Sequence, residues 1–432
     1  MNNKIYIETY GCQMNLADTE IISSILESNG FELLTSATDA DFIFFNTCSV
    51  RENAENKIFE KIKHITAKKK KSNVKLGILG CMAERLKASL LDDGVDLVVG
   101  PDEYRRLPEI IEEVNSGNQG IAVRLSRVET YEDIEPLRKQ GNSAWIAIMR
   151  GCDNMCSYCI VPYTRGRERS RPKDSIVKQV ESLAKDGFKE ITMLGQNVNS
   201  YQNENTDFAG LLNICSQIAP EIRFRFMTSH PKDLNKNLIE IISKRDNICK
   251  HLHLPIQSGS DRILDLMNRN YSSKYYLDLI KNLREIIPDI SLTTDIIAGF
   301  PSETDDDHRM TMNLLVEIQY DGAYMFRYST RENTRADKFK DDVPEEIKLK
   351  RLNEIISLQN DISKNKNQSE INRVHEVLIE SPSRRNEQHW MGRSDTNKIV
   401  VFPANNTSYK IGDIVPIKIE KATSATLFGN IL

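Results

Sequence analysis

Three cysteines lie within eight residues, at Cys152, Cys156 and Cys159, directly after the strand-like run 145–149. Thiolates are soft ligands that suit zinc or iron–sulfur clusters. Because a cubane cluster has four iron corners, three cysteines leave one iron open to a small molecule, which favours catalysis. The alternative is a zinc knuckle, but that site needs a fourth ligand and the next cysteine is Cys215. The fold must therefore bring these three thiols together at the end of a strand.

Three further cysteines each follow a different strand-like run near the N-terminus: Cys12 after 4–8, Cys48 after 41–45, and Cys81 after 74–79. Neighbouring parallel strands lie about 4.8 Å apart, so loops at one sheet edge can bring three thiolates to a single cluster. Taken singly, each cysteine is more often a small buried hydrophobic residue. We expect the three to act jointly as ligands, again with one iron open, whereas Cys215 and Cys249 are expected to be buried free thiols.

The composition narrows the class of protein. The 432 residues contain eight cysteines, and no window approaches the roughly 18 to 20 uninterrupted apolar residues of a membrane helix. The N-terminus enters a strand-like run without an apolar signal segment, so we expect a cytoplasmic protein with reduced thiols and no membrane partner. The net charge of −4 means that any surface for nucleic acid must be a local patch.

The first hundred residues alternate between apolar runs and helix-length stretches, which predicts an α/β domain with a parallel sheet. Its expected strands are 4–8, 41–45, 74–79 and 95–99, and its expected helices are 17–28, 54–70 and 83–91. Residues 117–142 are polar and contain three glycines, so they are expected to form a linker.

Six strand-like runs alternate with helix-length stretches in the middle of the chain, which predicts a partial (β/α)6 barrel related to the TIM barrel. These runs are 145–149, 190–194, 223–227, 251–254, 291–297 and 322–326. A charged helix at 344–366 leads to a small β-barrel with runs 374–379, 398–402, 414–419 and 426–432. The expected domains are 1–120, 138–367 with the bridging helix, and 368–432.

The motifs around the cysteines resemble those of the radical S-adenosylmethionine (SAM) methylthiotransferase family. The resemblance rests on the central triad and on Tyr10-Gly11-Cys12-Gln13-Met14-Asn15, Asn46-Thr47-Cys48-Ser49-Val50-Arg51 and Leu79-Gly80-Cys81-Met82-Ala83. It implies two [4Fe-4S] clusters, a radical SAM core and a C-terminal RNA-binding β-barrel called the TRAM domain. It also implies two SAM molecules per turnover, one that methylates a cluster-bound sulfur and one that yields a 5′-deoxyadenosyl radical.

The segment Gly11-Cys12-Gln13-Met14-Asn15 resembles the branch of the family that methylthiolates C2 of N6-(dimethylallyl)adenosine at position 37 of tRNA. The ribosomal-protein branch usually carries Pro-Lys in place of Gln13-Met14. We therefore expect a tRNA substrate, a small redox protein as electron donor, and iron–sulfur assembly machinery as a partner. The alternatives are methylthiolation of threonylcarbamoyl-adenosine or of a ribosomal protein, and a non-catalytic iron–sulfur redox sensor that binds RNA.

Other site residues are inferred from their position after predicted barrel strands. Gln196 and Gln257 are our candidates for hydrogen bonds to the cofactor or the substrate. Four arginines follow the central triad and could grip tRNA phosphates or the carboxylate of the cofactor: Arg165, Arg167, Arg169 and Arg171. In the terminal barrel, a cationic and aromatic mixture would suit RNA: Arg373, Arg384, Arg385, Trp390, Arg393 and Lys398.

Overall fold

The computed structural model describes residues 3–49, 52–69, 73–138, 141–404 and 408–432. Val50 and Arg51 of the second cysteine motif, the last residue of the predicted helix 54–70, and residues 139–140 of the predicted linker lie outside the described residues. Among the helices that are described, none is long and apolar enough to cross a membrane.

The N-terminal domain is built on a six-stranded parallel sheet with the order β2-β1-β3-β4-β5-β6. Its strands are β1 (Lys4–Thr9), β2 (Glu32–Leu34), β3 (Phe42–Thr47), β4 (Lys75–Gly80), β5 (Leu97–Val99) and β6 (Gly120–Ala122). Its helices are α1 (Gln13–Ser28), α2 (Glu52–Lys69), α3 (Cys81–Leu86), α4 (Ser89–Asp92) and α5 (Leu107–Asn115). Separate apolar cores cover the two faces of the sheet, as expected for a parallel sheet covered by helices.

The four predicted strands and three predicted helices of this domain are present, with helix 83–91 divided into α3 and α4. The prediction of a linker at 117–142 is wrong at its start, because β6 pairs with β5 as the edge of the sheet. Three residues with alternating burial are too short to show a strand pattern in the sequence.

The central domain contains six parallel strands in two sheets, β7-β10-β13 and β14-β15-β16, and a single parallel bridge from Phe224 to Ile248 links them. These strands are β7 (Ser143–Ala147), β10 (Glu190–Leu194), β13 (Arg223–Phe226), β14 (His251–His253), β15 (Ser291–Ala298) and β16 (Gly322–Arg327). Two short antiparallel pairs lie beside them: β8 (Met149–Arg150) with β9 (Arg169–Ser170), and β11 (Gln202–Asn203) with β12 (Thr206–Asp207).

Helices follow the central strands along the chain and cover one face of the arc, which encloses the largest apolar core. They are α6 (Val161–Arg165), α7 (Lys173–Lys185), α8 (Phe208–Ile218), α9 (Lys236–Lys244), α10 (Asp261–Leu266), α11 (Ser273–Ile286), α12 (Asp305–Ile318) and the bridging helix α13 (Glu345–Gln368). The predicted partial (β/α)6 barrel is confirmed by this order of parallel strands. Cys215 in α8 and Cys249 before β14 are buried, as expected.

The C-terminal domain is a closed five-stranded barrel with the order β17-β18-β19-β21-β20. Its strands are β17 (Val374–Ser383), β18 (Asn386–Ser394), β19 (Ile399–Pro403), β20 (Ile414–Ala422) and β21 (Leu427–Ile431). The predicted barrel is confirmed, but the sequence gives no signal for β18, because most of its residues are polar and lie near the surface. The side chain of Lys398 is 9% exposed and binds Asp321 of the central domain, so its charge is paired within the protein and does not face outward as expected of an RNA contact.

The N-terminal domain packs on the mouth of the central arc. Met14 and Ala17 of α1 form a small apolar cluster with Ala147 and Leu194, the last residues of β7 and β10. Active sites of parallel barrels lie at the carboxyl ends of the strands. Helix α1 therefore closes part of the region in which chemistry is expected.

Candidate active site

Cys12, Cys48 and Cys81 come together at the carboxyl edge of the N-terminal sheet. They follow β1, β3 and β4, which are neighbours in the sheet, and Cys48 and Cys81 come directly after the paired residues Thr47 and Gly80. A hydrogen bond from the Cys48 thiol, with a smaller contribution from the charge of Arg165, lowers the pKa of Cys12 to about 6. The three loops therefore place the three cysteines at one edge of the sheet, as the sequence predicts.

Glycines before two of these cysteines allow the close approach of the loops. Gly80 has a φ of 86°, and a Cβ atom there would lie 2.6 Å from Asn46 Oδ1. Gly11 has a φ of 132°, and its Cβ would lie 2.5 Å from the Cβ of Cys48. A side chain at either position would combine backbone strain with a clash. The glycines are thus needed to keep the three thiols close together.

A buried arginine contacts this first group of cysteines. The Nε atom of Arg165 donates to Cys81 Sγ over 3.2 Å, and the residue is 3% exposed. Its Nη1 atom is buried without a hydrogen-bond partner in the described part of the chain. An unsatisfied buried guanidinium nitrogen is costly unless an acceptor is present. Sulfides and thiolates of a bound cluster would be such acceptors, so the residues present fit that group.

The central triad lies in the loop between β8 and α6. The backbone N–H of Cys152 donates to the carbonyl of Gly166, and the N–H of Cys159 donates to the carbonyl of Cys156. Burial raises the pKa of Cys152 to about 11 and that of Cys159 to about 12. These thiols therefore keep their protons at neutral pH until a metal replaces them, which is the ordinary behaviour of thiolate ligands.

A second buried arginine contacts the central triad. Arg269 is 4% exposed, and its Nη1 atom donates to Cys156 Sγ over 3.3 Å. Its Nη2 atom donates to the carbonyl of Pro255 over 2.8 Å, and Nε donates to the hydroxyl of Tyr271 over 2.9 Å. These bonds fix the guanidinium in place. Each group of three cysteines therefore has one buried arginine that donates to one of its sulfurs.

A cavity of about 620 Å³ opens beside the central triad. Its wall includes Tyr158, Cys159, Gln257, Asp295, Met325 and Arg327. The volume lies in the range of small-molecule pockets, and the mixture of apolar walls with a few polar groups is typical of such sites. The cavity therefore has room for a cofactor and a reacting group next to Cys159.

The two predicted glutamines occupy different positions. Gln257 is buried in the wall of the cavity, in a backbone conformation with φ of 74°. Gln196 follows β10, and its Oε1 atom is buried without a partner among the described residues, but it is not part of the cavity wall. Gln257 is thus placed to meet a ligand in this cavity.

The prediction that Arg165, Arg167, Arg169 and Arg171 bind tRNA phosphates or the carboxylate of the cofactor is wrong for three of the four. Arg165 binds Asp18, Arg169 binds both carboxylate oxygens of Asp102 over 2.9 and 3.0 Å, and Arg171 binds Gln179. Only Arg167 is exposed, at 67% of its side chain, beside Asp153. A cluster of guanidinium groups in a sequence does not show whether carboxylates elsewhere in the chain will bury it.

The zinc alternative finds no support in the geometry. Within the described ranges, no three His, Cys, Asp or Glu side chains are placed to hold a single metal ion. A tetrahedral zinc site would need four ligands about one centre.

Comparison with known proteins assigns all three domains. The Radical SAM superfamily matches residues 146–315, the Uncharacterized protein family UPF0004 matches residues 4–100, and the TRAM domain matches residues 368–432. A tRNA-2-methylthio-N(6)-dimethylallyladenosine synthase of Chloroherpeton thalassium is 52% identical over 99% of this chain and 96% of the relative. A synthase of the same name from Bacteroides thetaiotaomicron is 50% identical over 99% of this chain and 96% of its own.

The chain belongs to the radical SAM methylthiotransferase family. As a radical SAM enzyme of this family, it uses an iron–sulfur cluster and SAM. The resemblance inferred from the cysteine motifs is confirmed.

Solved structures show the same fold at low sequence identity. A radical SAM methyltransferase from Kitasatospora setae, with a tryptophan substrate and a SAM analogue bound, aligns with a TM-score of 0.55. It is 14% identical and covers 75% of this chain and 72% of its own. A cobalamin-dependent SAM radical enzyme, with aqua-cobalamin and SAM bound, aligns at 0.52, with 12% identity and coverage of 83% and 56%.

Sequence reasoning missed several residues at this methylthiotransferase site, including Asp18, Arg150 and Arg269. Asp18 could have been found, because it stands on the buried face of α1 between the apolar residues Ala17 and Ile21. A charged residue on such a face must have a partner. Arg269 lies in a polar segment and has no comparable signal.

Proposed function

We propose that the enzyme transfers a methylthio group to C2 of N6-(dimethylallyl)adenosine at position 37 of tRNA. The observation that carries the proposal is the pair of three-cysteine groups at one domain boundary, each with a buried arginine on one sulfur. Relatives of about half identical sequence carry the name of a synthase of this product. The TRAM domain supports an RNA substrate.

The two groups of cysteines would hold two [4Fe-4S] clusters with different tasks. Cys152, Cys156 and Cys159 would hold the cluster beside the cavity, and Cys12, Cys48 and Cys81 would hold the other. When bound, these clusters and two SAM molecules per turnover supply the reducing electron, the 5′-deoxyadenosyl radical, the sulfur and the methyl group. An unactivated C2 hydrogen is too weakly acidic for a side-chain base, which is why such a cofactor is needed.

The residues of the protein bind the cofactor and the substrate, orient the cysteines and keep water out. Gln257 lies in the cavity wall that also includes Cys159 and is our candidate for a hydrogen bond to SAM or the substrate. Gln196, which follows β10 outside that wall, is a second candidate. Arg269 holds Cys156 through a fixed guanidinium, which orders the triad before a cluster binds. Helix α1 covers the ends of β7 and β10 and so limits the access of water to the space between the two groups.

The remaining parts of the proposal concern the surroundings of the enzyme. We place its domains at residues 1–120, 138–367 and 368–432, with β6 carrying the first domain on to Ala122. A small redox protein would supply the electron, and iron–sulfur assembly machinery would build and restore the clusters. A tRNA substrate is found in the cytoplasm, which is the compartment we propose.

The test is an anaerobic incubation of the reconstituted enzyme with dithionite, SAM and tRNA that carries dimethylallyladenosine. Mass spectrometry of the digested nucleosides should show the 2-methylthio product together with 5′-deoxyadenosine. The same tRNA without the dimethylallyl group is the matched control and should give no product. Deoxyadenosine without product would refute the substrate and direct attention to threonylcarbamoyl-adenosine or a ribosomal protein. The absence of both would favour the redox sensor.

A further inference from the structure

Asp18 lies at a point where the two groups of cysteines are linked through side chains. Its Oδ1 atom accepts a hydrogen bond from Arg150 Nη2 over 2.6 Å, and Oδ2 accepts one from Arg165 Nη2 over 2.8 Å. All three residues are at most 3% exposed. Asp18 belongs to the N-terminal domain, whereas the two arginines belong to the central domain. One carboxylate thus holds two segments of the neighbouring domain.

Each arginine leads to a different group of cysteines. Arg150 is separated from Cys152 by Gly151 alone, so its position fixes the start of the triad loop. Arg165 donates to Cys81 Sγ over 3.2 Å through Nε, whereas Asp18 accepts from Nη2. The path from the central triad to the N-terminal thiols therefore runs Cys152, Arg150, Asp18, Arg165, Cys81.

Arg165 keeps a spare hydrogen-bond donor next to the cysteines. Arg150 also lies over the ring of Tyr131 at 4.6 Å, whereas Arg165 Nη1 is buried without a hydrogen-bond partner among the described residues. A buried charge is stable only when it is paired. The thiolate of Cys81 would pair with Arg165, which already donates to that sulfur.

We propose that Asp18 and Arg165 are positioning residues that set the separation of the two cysteine groups. This inference rests on the proposed function, since it gives both groups a cluster. Asp18 orients Arg150 and Arg165 together, and Arg165 carries that orientation to Cys81. The transfer of sulfur to a carbon radical requires both sites to meet one substrate atom. If the distance between the two sites changes slightly, SAM is still cleaved but less methylthio product is formed.

The experiment compares two substitutions at the same domain boundary in the full-length, reconstituted enzyme. Asp18→Asn keeps the shape of the side chain but removes the charge that binds both arginines. Glu20→Gln is the matched control, because Glu20 lies on the same helix and pairs with Arg138 of the central domain over 3.0 Å. We measure deoxyadenosine released per methylthio product, and the magnetic coupling between the two reduced clusters by electron paramagnetic resonance.

Asp18→Asn should raise the ratio of deoxyadenosine to product at least tenfold and weaken the magnetic coupling, while Glu20→Gln should leave both within twofold of the wild type. An unchanged ratio and coupling in Asp18→Asn, or equal changes in both variants, would overturn the proposal. If Asp18→Asn does not fold, Arg165→Lys replaces it, because lysine keeps the charge but cannot bridge Asp18 and Cys81. Its unchanged coupling would equally overturn the proposal.

The two readouts distinguish this inference from the proposed function. If the wild type forms no methylthio product with the tRNA, the proposed function fails. The magnetic coupling of the wild type and the variants still tests the role of Asp18, since it depends on the separation of the clusters and not on the substrate.

Discussion

One carboxylate with a buried side chain, Asp321, joins the C-terminal barrel to the central domain. Asp321 binds Lys398 of the barrel over 2.9 Å and Lys366 of the bridging helix over 2.8 Å, and it accepts the backbone N–H of Leu292. The side chains of Asp321 and Lys398 are 7% and 9% exposed. Loss of one partner of a buried ion pair costs about 3 to 5 kcal/mol, because the other charge is left without a partner.

We expect Asp321→Asn to lower the melting temperature of the central and C-terminal domains by about 6 to 20 °C, since 1 kcal/mol corresponds to about 2 to 4 °C in units of this size. Differential scanning calorimetry measures the shift. Asp289→Asn is the matched control, because its ion pair with Arg373 also joins the barrel to the central domain but is exposed. An exposed ion pair contributes no more than about 1 kcal/mol. That variant should therefore lower the melting temperature by at most about 2 to 4 °C.

The pH dependence of this contact has a defined sign. Burial alone would raise the pKa of Asp321, but the charges of Lys398 and Lys366 outweigh it and hold the pKa below its usual value. The stabilisation is therefore complete above the unfolded pKa of about 3.9 and is lost as the pH falls through the lower folded pKa. Between pH 5 and 8 the difference between Asp321→Asn and the wild type should be constant. A shift at pH 7 no larger than that of Asp289→Asn would refute the reasoning.

Three further predictions concern the cysteine groups and the cavity. Gly80→Ala should reduce the iron content from about eight to about four atoms per chain, because the new Cβ would clash with Asn46. Iron analysis after reconstitution tests this prediction, and an unchanged iron content would contradict it. Arg269→Gln should lower the reduction potential of the central cluster by about 60 mV or more, a tenfold change in equilibrium, because it removes a positive charge next to Cys156. An unchanged midpoint in a spectroscopic redox titration would disprove this prediction. Gln257→Ala should raise the KM for SAM about tenfold or more through the loss of one hydrogen bond to a charged ligand, whereas an unchanged KM would remove Gln257 from the binding site.

Much of the cysteine geometry follows from the sequence alone. The runs before Cys12, Cys48 and Cys81 are apolar and short, as expected of buried parallel strands, and such strands end at one edge of a sheet. The thiols meet only if these strands are also neighbours in the sheet. The pairing of Thr47 with Gly80, the residues before Cys48 and Cys81, meets this condition. Local patterns therefore sufficed to bring these thiols together.

The contacts between domains could not be predicted in the same way. Arg165 and Asp18 are 147 residues apart in the chain, and no periodic pattern connects positions at that separation. An arginine-rich loop has the same appearance whether RNA or buried carboxylates neutralise it. Strand β18 was missed for a related reason: a barrel closes through backbone pairing, and a polar strand can supply that pairing without an apolar signal.

The central claim is that the two cysteine groups have different tasks, and matched substitutions test it most directly. Cys152→Ala and Cys12→Ala are reconstituted separately and incubated with dithionite, SAM and the modified tRNA, and both deoxyadenosine and methylthio product are counted. We predict that Cys152→Ala forms neither compound, whereas Cys12→Ala forms deoxyadenosine without methylthio product. Full methylthiolation by Cys12→Ala would contradict the two-site account.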